Sequence, residues 1–82
     1  MDILPSARRH GVQDAVIDHA VLHAAVVDEV GEDPLRFLLI GPERAGNLLE
    51  VIVLDRPQGP AAIHAMGLRA KYRRLLPPGG QP

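Results

Sequence analysis

The stretch that decides the fold is Leu48-Leu49-Glu50-Val51-Ile52-Val53-Leu54. Side chains alternate across a strand, so Leu49, Val51 and Val53 face one way and Leu48, Glu50, Ile52 and Leu54 the other. Both faces are mainly apolar, which predicts a central strand with a helix against at least one side. Upstream, Ala25 to Val30 and Leu35 to Ile40 predict two further strands. They are separated by the turn Gly31-Glu32-Asp33-Pro34, and Gly41-Pro42 stops the second. Glu43 to Asn47 reads as a loop and Asp55 to Pro60 as a turn. Ala61 to Met66 then forms the last strand, with Ala62, His64 and Met66 on one side of it. Short connections between consecutive strands favour an antiparallel meander.

Helical spacing frames this core. Ala7 to His10 predicts a short helix, capped by Ser6 and ended by Gly11. Val12, Val16, Ile17, Ala20, Val21 and Ala24 predict a second, amphipathic helix from Val12 to Ala24. Asp14 near its start complements the helix dipole. After Gly67, the stripe Leu68, Tyr72, Leu75 and Leu76 predicts a short C-terminal helix. The fold class is therefore α+β: two N-terminal helices on an antiparallel sheet of about four strands, closed by a short helix. Residues 1–76 form one domain, and residues 77–82 have nothing to bury and read as a disordered tail.

With 82 residues, 46% of them apolar and only 2% aromatic, the core must be built from Val, Leu, Ile and Ala. No apolar run approaches a membrane span, and the N-terminus lacks the pattern of a signal peptide, so the cytoplasm is the expected location. The absence of cysteine excludes disulfides and thiolate catalysis in this chain. The net charge of −1 hides a separation. Val12 to Pro34 carries six acids and no Lys or Arg, whereas Gly67 to Leu76 carries Arg69, Lys71, Arg73 and Arg74 and no acid. Such asymmetry bears on partners: an anion such as RNA at one end, a basic protein surface at the other.

Four stretches, in order, resemble small type II toxins of the RelE superfamily, nearest to the BrnT type and its actinobacterial relatives. They are Ala7-Arg8-Arg9-His10-Gly11-Val12, Leu39-Ile40-Gly41-Pro42, Asn47-Leu48-Leu49-Glu50-Val51 and Ile63-His64-Ala65-Met66-Gly67-Leu68-Arg69. The resemblance implies two helices against a curved antiparallel sheet and a metal-independent endoribonuclease that cuts mRNA, free or on the ribosome. It also implies neutralisation by a cognate antitoxin of the ribbon-helix-helix type, with DNA contacted only through that antitoxin. Two departures stand out: Gln13 replaces the usual Ser-type cap, and Gly67-Leu68-Arg69 stands where Pro-Ala-Arg is common.

RNA cleavage without metal needs a base for the 2′-hydroxyl, an acid for the leaving oxygen, and cations for the phosphate. His64, Arg69, Lys71 and Glu50 supply these types and are the candidate catalytic residues. Histidine titrates near neutral pH, and Glu50 can act as a base or orient His64 or an arginine. Arg44, Tyr72, Arg73 and Arg74 are the candidate RNA-binding residues, to which Arg8-Arg9-His10 can add. The competing reading is that these cations form an ordinary solvated surface and that His64 packs in its strand. His19 and His23 lie four apart on a helix but lack a third ligand, so no metal or cofactor is expected. Gly41 to Gly46 lacks the Gly-Lys-Ser/Thr ending of a phosphate loop. Few aromatics leave phosphate contacts, not base stacking, as the source of RNA affinity. Two rivals to the toxin remain: a non-catalytic binding module or adaptor, and a small domain whose strands pair across an edge between copies.

Overall fold

The computed structural model describes residues 1–78. Leu48–Leu54 forms β4, and both its faces are covered as its composition requires: Leu49, Glu50, Val51 and Val53 are buried. The other strands are β1 (Asp2–Ile3), β2 (Val26–Gly31), β3 (Arg36–Pro42) and β5 (Ala61–Gly67). They make one five-stranded sheet in the order β1-β5-β4-β3-β2. The meander from β2 to β5 is antiparallel, as the short connections demand, whereas β1 pairs parallel to β5.

The expected architecture of two helices on an antiparallel sheet of about four strands is corrected on three counts. First, the sheet has five strands and is mixed, because Asp2 and Ile3 pair with Ala61 and Ala62. Second, there is one α-helix among the described residues, α1 (Asp14–Leu22). The first expected helix is a 3₁₀ turn, Pro5–Arg8, followed closely by Gly11 at φ 79. So few residues offer too few hydrogen bonds to repay α-helix nucleation. Ser6 does not cap it; its hydroxyl donates instead to the Ile63 carbonyl oxygen at 2.6 Å. Third, the C-terminal helix is a 3₁₀ segment, Ala70–Leu75. It is short and followed by Pro77-Pro78, and proline disfavours α geometry in the residue before it. Of the expected disordered tail, residues 79–82 lie outside the described residues.

Gly41 does not stop β3. A Cβ there would run into the carbonyl oxygen of Ala20, so glycine is what lets α1 approach the sheet. The core on this side joins Ile17 and Ala20 of α1 to Leu39, Leu49, Val51, Val53, Ala62 and Ala65. A bulge in β5 shapes the other side. Val51 pairs with Ala65 and Ile52 with His64, but Val53 pairs with Ala62, leaving Ile63 as the extra residue. Ala62 therefore joins the α1-side core and does not share a face with His64, contrary to strict alternation. His64 and Met66 share the opposite face with Glu50 and Ile52. No helix among the described residues is long and apolar enough to cross a membrane.

Candidate functional site

The site begins with a charge in the wrong place for a core. Glu50 lies mid-strand on the face away from α1, and its side chain is 0% exposed. A carboxylate without water must find donors within the chain. The residues just after β5 supply them: the Arg69 main-chain N–H donates to Oε1 at 2.9 Å, and its guanidinium Nη2 donates to Oε2 at 2.6 Å. Arg69 Nε bridges both oxygens at 3.1 and 3.0 Å. His64, diagonal to Glu50 across the β4–β5 ladder, adds Nε2 to Oε2 at 2.9 Å.

These contacts fix the protonation of Glu50. Burial is the largest single influence and pushes its carboxyl up. The hydrogen bonds from Arg69 and then His64 together outweigh it, and the net shift is below the usual carboxylate range. The same pairing, led by the Glu50 hydrogen bond, raises Arg69 further. Glu50 is thus an ionised acceptor at neutral pH, and an ionised carboxylate cannot donate. His64 must carry its proton on Nε2 towards Glu50. Its other nitrogen, Nδ1, has no hydrogen-bond partner among the described residues, yet no buried polar side-chain atom there is left unpaired. Nδ1 therefore reaches solvent, and the His64 side chain is 21% exposed. A carboxylate that fixes one imidazole nitrogen leaves the other as an oriented proton acceptor.

A further residue joins the cluster. The His10 ring lies edge-on to the His64 ring, with centroids 5.6 Å apart and planes at 80°. In the sequence His10 stood only within the Arg8-Arg9-His10 cluster, because nothing in local spacing links positions 10 and 64. Arg8 of that cluster is already committed, its Nε and Nη2 each 2.8 Å from an Asp14 carboxylate oxygen.

The remaining expected residues are placed unevenly. Arg69 packs its guanidinium carbon 5.5 Å from the Tyr72 ring centroid, and Lys71 places Nζ at 4.9 Å from the same ring. Tyr72 thereby links Lys71 to the Glu50–Arg69 pair. Arg73 and Arg74 follow on the 3₁₀ segment, both exposed and in no ion pair among the described residues. Arg44 sits in the β3–β4 loop, and Leu49 pairs with both Gly41 and Gly67, so that loop is at the same end of the sheet as the exit from β5. Arg44 is exposed and makes no hydrogen bond to the cluster. The histidine pair at the end of α1 is also accounted for: the rings of His19 and His23 lie 4.5 Å apart at a tilt of 44°, and His19 Nδ1 donates to the Pro42 carbonyl oxygen at 2.9 Å. No group of three His, Cys, Asp or Glu side chains suited to one metal ion occurs among the described residues.

Comparison with family models, with curated proteins and with solved structures returns no match to this chain. The likeness to the RelE superfamily therefore stands on its quoted residues alone.

Proposed function

We propose that this chain binds RNA and cleaves it without a metal ion, with His64 as the proton-accepting group. The observation that carries this reading is the hydrogen bond of 2.9 Å between His64 Nε2 and the buried, ionised Glu50. In this scheme Nδ1 of His64 takes the proton from a ribose 2′-hydroxyl. The 2′-oxygen attacks phosphorus, the bond to the 5′-oxygen breaks, and the departing oxygen takes a proton from the His10 ring, the general acid of the scheme. The products are a 2′,3′-cyclic phosphate and a free 5′-hydroxyl. Lys71, Arg73 and Arg74 hold the phosphate backbone, with Arg44 at the same end of the sheet. Glu50 is a positioning residue here, since taking up a proton would undo the pairing of its carboxylate with Arg69.

In the cell this activity would serve a cytoplasmic toxin that inhibits translation, held in check by a ribbon-helix-helix antitoxin. That extension rests on the resemblance of Ile63 to Arg69 and the other quoted stretches. The test is to incubate the purified chain with end-labelled RNA, alone and with translating ribosomes, and to map the cut ends. Cleavage with cyclic-phosphate ends is expected, slowed about a hundredfold or more in His64→Ala. Absence of cleavage above a His64→Ala, Arg69→Ala double variant would refute the scheme.

One observation favours a second, non-catalytic reading. The Arg69 guanidinium is engaged with Glu50 and not free to meet a phosphate. On that reading the cluster locks the C-terminal segment onto the sheet, and the chain is a binding module. It predicts a stable protein complex and unaffected growth when the chain is expressed alone.

A further inference from the structure

The face carrying α1 is incompletely covered. A nine-residue helix is about 13 Å long, whereas five strands span about 19 Å across the sheet. Beyond the last turn of α1 lies an apolar cleft of about 280 Å³. It is lined by Val21 of α1, Val27 of β2, Phe37 and Leu39 of β3, Val53 of β4, and Met1. Val27, which lines it, is 63% exposed, and Leu22, next to Val21 in α1, is 78% exposed. Solvated side chains of this size, contiguous with an apolar cleft, mark an interaction surface.

Two features define what fits. The cleft runs up to β2, the edge strand of the sheet, whose outer side has no partner strand among the described residues. An extended segment can add to such an edge by main-chain hydrogen bonds while alternate side chains enter the adjoining cleft. The rim is also acidic. Glu29 pairs with Phe37 and so points to the cleft side of β2. Asp18 lies one helical turn before Leu22, and Glu32 and Asp33 follow β2 in its turn. None of these four acids is in an ion pair among the described residues. The nearest cation on the edge, Arg36, pairs with Gly31 and Leu54 on the opposite face. Like charges facing one another across a strand pair are destabilising, so two copies joining at β2 would set two acidic edges, each carrying Asp28 and Glu29, against one another.

We propose that the β2 edge and this cleft form a docking site for a basic extended segment of another protein, in which aliphatic side chains and Lys or Arg take turns at every second residue, along the face turned to α1. The aliphatic side chains enter the cleft between Val27, Phe37 and Leu39. The cations meet Glu29, Asp18 and the acidic turn. This site is on the opposite face of the sheet from His64 and Glu50, and the inference stands whether or not RNA is cut.

The test uses the full chain and fluorescent peptides of about eight residues that carry Ser at every second position and, in the positions between, Leu and Lys in turn, Leu and Glu in turn, or Ser and Lys in turn. Saturable binding of the Leu–Lys peptide is expected, with the other two weaker by at least about tenfold. Val27→Asp, which blocks the cleft, and Glu29→Lys, which reverses the rim, are each expected to weaken it about tenfold or more. Both positions are exposed, so thermal melting should confirm that the variants fold. Lack of binding at high micromolar peptide would overturn the proposal, as would equal binding of the Leu–Glu peptide or indifference to both substitutions. Sedimentation of a dimer that Val27→Asp dissociates would assign the surface to a second copy and also overturn it.

Discussion

Replacing Glu50 by glutamine tests the buried pair at the centre of the molecule. The substitution keeps shape and volume but exchanges one oxygen for an amide group that donates. Glu50 receives only donors: the Arg69 N–H and guanidinium on one side and His64 Nε2 on the other. Whichever way the glutamine amide turns, its NH₂ opposes a donor, and at 0% exposure no water can intervene. Losing a charge-assisted hydrogen bond costs about 1.5–3 kcal/mol, and the opposed donors bring the expected loss to about 2–4 kcal/mol. A domain of this length has a total stability of about 4–12 kcal/mol. The melting temperature should fall by roughly 10–20 °C. The assay is reversible urea denaturation and thermal melting followed by far-UV circular dichroism. Acid supplies the internal control. The folded-state pKa of Glu50 lies below its unfolded value, first because burial raises it less than the hydrogen bonds from Arg69 and His64 lower it. Its contribution is then complete above the unfolded value of about 4.3, and is lost as pH falls through the lower folded value. The gap between parent and Glu50→Gln should therefore be constant near neutrality and close in acid. A variant within about 0.5 kcal/mol of the parent at neutral pH would refute the account of Glu50 as an ionised, donor-saturated group.

Three further outcomes follow from single contacts. Gly41→Ala should lower stability by about 1–3 kcal/mol or more and weaken the α-helical signal, because the new methyl meets the Ala20 carbonyl oxygen; denaturation curves read both. Ser6→Ala removes the 2.6 Å bond to the Ile63 carbonyl and should cost about 1 kcal/mol, with faster amide exchange in Pro5–Arg8 than elsewhere in the chain. Arg73→Ala and Arg74→Ala should each reduce the salt dependence of RNA binding, lowering the slope of log affinity against log salt by about 0.7, as fluorescence anisotropy would measure.

What could be read from the sequence follows the range of the interaction that decides each element. The strand Leu48–Leu54 was legible residue for residue, since its own alternation and the turns around it settle its limits. Position 41 was misread as a stop because the reason for glycine lies on α1, more than twenty residues away. The pair Asp2–Ile3 carries no strand pattern of its own; it is a strand only because β5 offers an edge. The two expected helices at the ends had helical spacing but too little length, and spacing alone does not count hydrogen bonds. Of the site, the convergence of Glu50, His64 and Arg69 was open to inference, since neighbouring strands bring opposite types together. That Arg69 would bind Glu50 with its main chain as well as its side chain was not, because it depends on the turn after β5. The apolar surface around Val27 was equally hidden: a β-branched strand residue reads as core until the sheet order makes its strand an edge.

The bulge at Ile63 ties these threads together, because one extra residue has consequences on both faces. It returns Ala62 to the α1-side core while His64 stays on the face of Glu50. It also disrupts the ladder where β5 runs past the end of the short β1, which pairs only with Ala61 and Ala62. The Ile63 carbonyl would be an unpaired acceptor beside that gap, and Ser6 satisfies it from the 3₁₀ turn Pro5–Arg8. That anchor holds the N-terminal segment against β5, with Leu4 bonded to the Ala62 carbonyl just before the turn. Two residues after the turn, His10 arrives edge-on at His64. The serine that looked like a helix cap is thus a strand-edge clamp, and the placement of a second imidazole beside His64 follows from it. A β5 without the bulge would turn Ile63 inward and Ala62 out towards His64, and the segment carrying His10 would lose its anchor. The arrangement of two imidazoles and one buried carboxylate is therefore set by the register of one strand pair, not by the residues of the cluster alone.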